Sequence, residues 1–241
     1  MDTTDRDVSW WDYATAYDLL CQHNYHYQIL KTEFSTWLET TFPDSEAQIS
    51  VCELGAGTGN FLIETNRLLP QAEITHWDWN SEMVQRAKQK YRQHQIQAET
   101  IQSNISELKN HEQRYDLIIA INALYSFPNP QEVIHNSSQL LNEGGYLYVV
   151  DVGRPINTMA WTKDLFVHVM KTEGLWKSFS ALIKLRKAIT QNRKIDKTAD
   201  EGNYWRHDLL ELATTIESAG LTVNASDTCY RGIADRVIAK R

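Results

Sequence analysis

Between residues 48 and 153 short β-rich runs alternate with helical patterns, and this rhythm restricts the fold more than any other feature. The runs are "QISVCEL", "AEITHWDW", "AETIQSN", "YDLIIAIN" and "YLYVVDV". Between them lie a helix from Asn60 to Leu69, the helix "SEMVQRAKQKYRQH" and the helix "PQEVIHNSSQLL". Strand, helix, strand in repetition is the signature of βαβ units and a parallel sheet, because parallel neighbours need a long crossover between them. "YDLIIAIN" and "YLYVVDV" are apolar on both alternating sets of residues, as central strands covered on both faces must be. Gly144 and Gly145 read as a helix C-cap and turn after "NSSQLL". After a last helix, "RHDLLELATTIESAG", the runs "LTVNASDTCY" and "IADRVIAKR" can pair as an antiparallel hairpin through "RG". The expected class is α/β, a doubly wound sheet that is mostly parallel.

Two segments break the rhythm. Residues 8–42 are aromatic-rich and read as one or two amphipathic helices forming a lid or flank, ended by Phe42-Pro43 and the polar "DSEAQ". Residues 155–203 form a long, mainly helical insertion, too large for a plain connection and of a size that is usually functional. At 241 residues with 42% hydrophobic side chains, the chain suits one globular domain, 1–241. Its parts are a helical lid (1–47), a cofactor-binding core (48–154), a helical insertion (155–204) and the end of the core sheet (205–241).

Composition narrows the partners. The net charge of −7 argues against a general nucleic-acid binder, whose affinity comes from Lys and Arg neutralising phosphates. Cys21, Cys52 and Cys229 are odd in number and lack a C-x-x-C pair, so neither a disulfide framework nor a zinc site is suggested and a reducing, cytoplasmic setting is expected. The acidic opening "MDTTDRDVSW" is unlike a secretory signal, and no run approaches the roughly 18 apolar residues of a span, so no membrane partner is expected.

Inside the core, "VCELGAGTGNF" places Gly55, Gly57 and Gly59 directly after an apolar run. Ordering glycine costs entropy, so such a cluster marks a tight turn or a close approach of backbone to a ligand. A phosphate-cradling loop would need G-x-x-x-x-G-K-[ST], and no lysine follows Gly59 at useful spacing. A dinucleotide fingerprint, G-x-G-x-x-G, is weakened but not excluded, because its third glycine falls on Asn60. The third pattern, an acid, any residue, then G-x-G-x-G, is matched throughout by Glu53-Leu54-Gly55-Ala56-Gly57-Thr58-Gly59.

In this last motif the chain resembles the class I S-adenosylmethionine (SAM) dependent methyltransferases, of the small-molecule type. The resemblance covers residues 48–153 and extends to the final hairpin, which corresponds to the sixth and seventh strands of a Rossmann-like sheet. It implies that Asp78, twenty-five residues after Glu53, accepts the ribose hydroxyls of SAM. Trp79 and Met83 would wall the adenine, and Glu53 would face the α-ammonium. Alternate glycines and a helix N-terminus suit the amino-acid part of the cofactor. Where the family often has Asp before the fourth strand, this chain has Ser103-Asn104 followed by Ile105, so Asn104 can meet the adenine edge only as a neutral group. Asn122 and Ala123 would run beneath the methionine moiety. The cofactor implied is SAM, leaving as S-adenosylhomocysteine (SAH), and the acceptor a small molecule or peptide, bound by a monomer or homodimer.

Methyl transfer from a sulfonium is an in-line displacement that needs alignment and a dry site, with a general base only for acceptors such as phenols. Candidates for that base are Tyr17, His26, Asp151, His168 and His207. His23 and His26 lack a carboxylate at metal spacing, and no metal is expected. Tyr13, Tyr17, Tyr25 and Tyr27 read as lid packing with some pocket lining. The basic stretch from Lys177 to Lys197 reads as a solvated helix face or as an attractor for an acidic acceptor or partner. "NALYSF" after the fourth strand differs from the D/N/S-P-P-Y/F/W string of DNA amino-methylating enzymes. The expectation is methyl transfer to O or N of a small molecule or peptide in natural-product biosynthesis. A catalytically inactive SAM-binding subunit or sensor, or a nicotinamide-dependent enzyme, remains as an alternative.

Overall fold

The computed structural model describes residues 10–202 and 204–241; the acidic opening, residues 1–9, and Asn203 lie outside it. Seven strands form one sheet in the order β3-β2-β1-β4-β5-β7-β6. They are β1 (Ser50–Leu54), β2 (Glu73–Asp78), β3 (Ala98–Gln102), β4 (Tyr115–Ile121), β5 (Leu141–Val152), β6 (Thr222–Cys229) and β7 (Ala234–Lys240). Neighbours among β1 to β5 pair in parallel, while β7 runs antiparallel to both β5 and β6. The expected doubly wound, Rossmann-like class and its C-terminal hairpin are found, with the turn at Tyr230–Gly232.

Alternation along the central strands builds two cores. Val51, Leu117, Ile119, Ile121, Tyr148 and Val150 face one layer of helices. Cys52, Leu54, Ile118, Ala120, Leu147 and Val149 face the other. The first layer holds α2 (Tyr25–Thr41), α3 (Asn60–Leu68) and α4 (Ser81–His94). The second holds α5 (Pro130–Leu140) and α8 (Leu209–Ser218). A third helical group, α1 (Trp10–His23), α6 (Thr158–Glu173) and α7 (Leu175–Asp200), packs through Ala16, Leu165, Leu185 and Ala188 into a cap.

The expected N-terminal lid therefore divides. Asn24 caps α2, accepting the N–H groups of His26 and Tyr27, and breaks the helical stretch. Leu30, Phe34 and Leu38 of α2 are fully buried, Phe34 edge-on to Phe61 and Tyr148, so α2 is a core helix and α1 alone belongs to the cap. Gly144 and Gly145 also need correction. α5 ends at Leu140 and both glycines lie inside β5, where the β4–β5 register slips between Tyr115 and Leu117. A Cβ on Gly145 would lie 3.1 Å from the Tyr115 carbonyl oxygen, so the pair serves a strand irregularity and not a helix terminus.

Candidate active site

The chain runs outward from β1 through β2 to β3 and returns to the other side of β1 as β4, which makes the β1/β4 junction a topological switch point. Ligands of open α/β sheets bind beyond the carboxyl ends of strands at such a point. Here the cap lies over it, bounding a partly open cavity of about 470 Å³. Its floor includes Gly55, Gly57, Asp78 and Asn122, and its roof Tyr13, Tyr17, Trp161, Leu165 and His168.

The glycine turn is fastened to β2. Gly55 and Ala56 donate their N–H groups to the Trp77 carbonyl at 2.8 and 3.0 Å, and Gly57 N–H donates to Asp78 Oδ2 at 2.8 Å. All three glycines have positive φ, but their surroundings differ. A Cβ on Gly55 would meet Ala123 at 2.6 Å, and one on Gly59 would fall 2.2 Å from the Tyr91 hydroxyl. On Gly57 the nearest atom would be Met83 Sδ at 3.9 Å, so of the two glycines in the cavity floor Gly57 has the more open backbone.

Asp78 is 7% exposed, and its Oδ1 accepts the Asn80 N–H at 2.8 Å. Asn80, not Asp78, caps α4. Burial raises the Asp78 pKa against those two backbone hydrogen bonds. Glu53, one strand over, is pushed well above the usual carboxylate range by burial and then by the charge of Asp78. Glu53 Oε2 and Asn122 Oδ1 are buried without a hydrogen-bond partner. Asp78 and the orphaned Asn122 Oδ1 on the cavity wall, with Glu53 Oε2 buried behind the glycine turn, suit a ligand that brings positive charge and N–H or O–H donors.

The expected residues divide cleanly. Gly55, Gly57, Asp78, Trp79, Met83, Asn122, Tyr17, His26 and His168 line the cavity, with Trp79 half exposed and Met83 buried. Glu53 and Gly59 lie behind the turn, outside the lining. Asn104 lies outside it as well, because its side chain caps the 3-10 turn Ile105–Asn110 by accepting the Ser106 N–H, and Ile105 is buried in the second core.

Asp151 and His207 are corrected as base candidates. Both side chains are fully buried away from the lining, with His207 Nε2 3.3 Å from Asp151 and Nδ1 3.4 Å from Asp235. Arg154 completes the cluster by a two-pronged pair with Asp235 at 2.6 and 2.9 Å. Burial disfavours the imidazolium, but Asp151 and Asp235 outweigh it and raise the His207 pKa. Burial likewise raises Asp151. The cluster ties β5, β7 and the segment before α8 together.

Tyr17, by contrast, lines the cavity with its phenol pKa raised well above 10.0 by burial, so it can donate a hydrogen bond but is unsuited to accept a proton. His26 stands edge-on to Trp161 at 5.2 Å, and burial followed by Arg231 lowers its pKa, leaving a neutral imidazole near pH 7. His168 approaches Tyr25 at 5.5 Å. Trp161, Asp164, Arg206 and Tyr230 also line the cavity and were not singled out in the sequence. Tyr230 sits at the expected hairpin turn and receives the Asn122 amide at 3.4 Å; that turn was the one available signal for it. Among the described residues no three His, Cys, Asp or Glu side chains gather as a metal site.

An α/β sheet with an acid-glycine turn and a second acid beside it defines a nucleoside-cofactor protein of the Rossmann-like class. Residues 45–210 match the family described as "Methyltransferase domain", and the chain belongs to that family of SAM-dependent enzymes. Over 109 residues it is 28% identical to the ubiquinone biosynthesis O-methyltransferases of Klebsiella pneumoniae (strain 342) and Salmonella typhimurium, an alignment covering 45% of this chain and 44% of theirs. The chain thus spans less than half the length of these curated relatives. In structure it resembles magnesium protoporphyrin IX methyltransferase from Synechocystis PCC 6803 with bound SAM. The TM-score is 0.63 at 13% identity, covering 100% of this chain and 98% of the other. It also resembles an O-methyltransferase family protein from Burkholderia thailandensis, with TM-score 0.57 and 19% identity over 88% of this chain and 56% of the other.

Proposed function

We propose that this chain transfers the methyl group of SAM to an oxygen of a small hydroxylated acceptor held in the capped cavity, in a biosynthetic pathway of the cytoplasm. The observation that carries the reading is the pair of buried acids, Glu53 and Asp78, on adjacent strand ends, with Glu53 Oε2 unpartnered beside the glycine turn. SAM supplies an electrophilic methyl group on a positively charged sulfur. Glu53, behind the glycine turn, would accept from the α-ammonium through its unpartnered Oε2, and Asp78, whose oxygens each keep a lone pair after one backbone bond, would hold the ribose. Gly57 lets the backbone approach the amino-acid part. Trp79 and Met83 flank the adenine, and Asn122 Oδ1 accepts a donor from the ligand.

The mainly apolar, aromatic lining solvates the sulfonium poorly, which favours a displacement in which charge disappears. His26 takes the acceptor's hydroxyl proton on its neutral imidazole, with His168 as the neighbouring base. The O-methyltransferase names among the relatives support oxygen as the target atom.

Calorimetric titration with SAM, SAH and NAD tests the cofactor. SAM and SAH should bind, NAD should not, and Asp78→Ala should weaken SAM by about 2–3 kcal/mol. Binding of NAD alone overturns the reading. With an acceptor found by mass shift, His26→Ala should lower kcat about a hundredfold while keeping SAM affinity. Undiminished turnover with both His26→Ala and His168→Ala removes the base. Binding without turnover of any acceptor would make the chain a SAM sensor.

A further inference from the structure

The cap presents a second face that the methyl-transfer reading does not use. On α7, Trp176, Phe179 and Ile183 recur at helical spacing and point outward, with Trp176 86% and Ile183 68% exposed. On α6, Met159 and Met170 are exposed and Phe166 stacks edge-on with Phe179 at 5.3 Å, which joins the two stripes into one apolar surface. Isolated exposed apolar residues are ordinary, but a contiguous patch on one face of a helical hairpin marks an interaction site.

Charge says what the patch meets. Residues 158–200 carry nine Lys and Arg against four Asp and Glu, in a chain of net charge −7. Asp164 pairs with Arg231 from outside this segment, and Glu173 pairs with His23 and with Lys177 of the same segment. By helical spacing Lys177 and Lys184 border one side of the apolar stripe and Lys187 follows it one turn on. A helical face of exposed Trp, Phe and Ile bordered by lysines, lying across and not spanning, is the composition of an element that rests in the headgroup layer of an anionic bilayer.

We propose that the outer face of the α6–α7 hairpin docks this protein on anionic membrane surfaces. The expectation of no membrane partner rested on the lack of a spanning segment, and surface docking needs none. A second copy fits less well, because two-fold pairing of this face would set lysines against lysines. The docking is independent of methyl transfer, since none of the six residues named for the test below lines the cavity.

The test is co-sedimentation of the full chain with phosphatidylcholine vesicles, with and without phosphatidylglycerol. Binding is expected only with phosphatidylglycerol and should fall at high salt. The triple variants Trp176→Ser/Phe179→Ser/Ile183→Ser and Lys177→Glu/Lys184→Glu/Lys187→Glu should each weaken it about tenfold or more, with Tm and SAM affinity unchanged. Absence of binding to either vesicle, or variants that bind like the parent, overturns the proposal. So does light scattering that reveals a dimer abolished by the Trp176 triple variant, or binding to polyglutamate in place of vesicles.

Discussion

Gly57 and Gly59 have similar backbones and different neighbours, which makes them separable by substitution. At Gly59 an alanine would drive its Cβ into Tyr91, whose hydroxyl is held at 2.9 Å by buried His76. Gly59→Ala should therefore cost stability, about 2–4 kcal/mol in urea unfolding, through left-handed strain and overpacking together. Gly57→Ala should cost about 1–2 kcal/mol of strain and weaken SAM more than it destabilises. Equal effects of the two on stability would sink this distinction. His207 offers the residue-scale pH test. Its folded pKa lies above the ordinary 6.5, so its contribution is complete below pH 6.5 and is lost as pH rises through the raised value. The raised carboxyl of Asp151 gives a slope of the same sign at lower pH. His207→Phe leaves Asp151 facing Asp235 and should cost about 3–5 kcal/mol, with the slope above pH 6.5 abolished; unfolding midpoints from pH 6 to 9 check both. The glycine turn was legible in the sequence because it is local; the placing of Asp78 against the Gly57 N–H and of Glu53 outside the cavity lining is set by the pairing of β1 with β2. Asp151 and His207 were misread because the pairing that occupies them joins residues far apart in the chain.

At the scale of elements, α1 is held over the glycine turn by one polar node. Asp18 accepts from the Thr58 hydroxyl at 2.6 Å and from Lys90 of α4 at 2.8 Å. Asp18→Ala should release α1 from the turn, speed amide exchange in α1 and weaken SAM and SAH alike by about three- to tenfold. Unchanged affinity with unchanged exchange would show that packing against α7 alone holds the helix. The bounds of α4 were legible because Met83, Val84, Ala87 and Tyr91 keep its period; its cap, Asn80, was not read from the sequence. Gly144 and Gly145 were not, since a glycine pair after an apolar helix reads as its terminus. What makes them strand residues is a distant partner, Arg241, which donates its N–H to Gly145 and accepts from Gly144. Trp161 was equally hidden, because only the docking of α6 beside His26 of α2 and the Tyr230 turn brings it to the cavity.

For the whole molecule, one helical cap serves two surfaces, an aromatic roof within and a basic, apolar face without. The architecture was legible because strand and helix periods alternate, and the lid and the insertion were legible as helical segments; that α1 and α6–α7 join into one cap was not, because β1 to β5 lie between them in the chain and they meet only in space. The strand order has a further consequence for how the chain is made. β7 lies between β5 and β6, and of the seven strands it is the last to be synthesised. Until it arrives, β5 keeps an open edge whose neighbouring core lacks Val237, Ile238 and Ala239. A chain ended at Ala219 should therefore lose its soluble fraction, as pelleting after expression would record. On the ribosome β1 to β5 emerge as an unfinished sheet with a sticky margin, so the sheet closes only when the β7 segment inserts, late and from the C-terminal side.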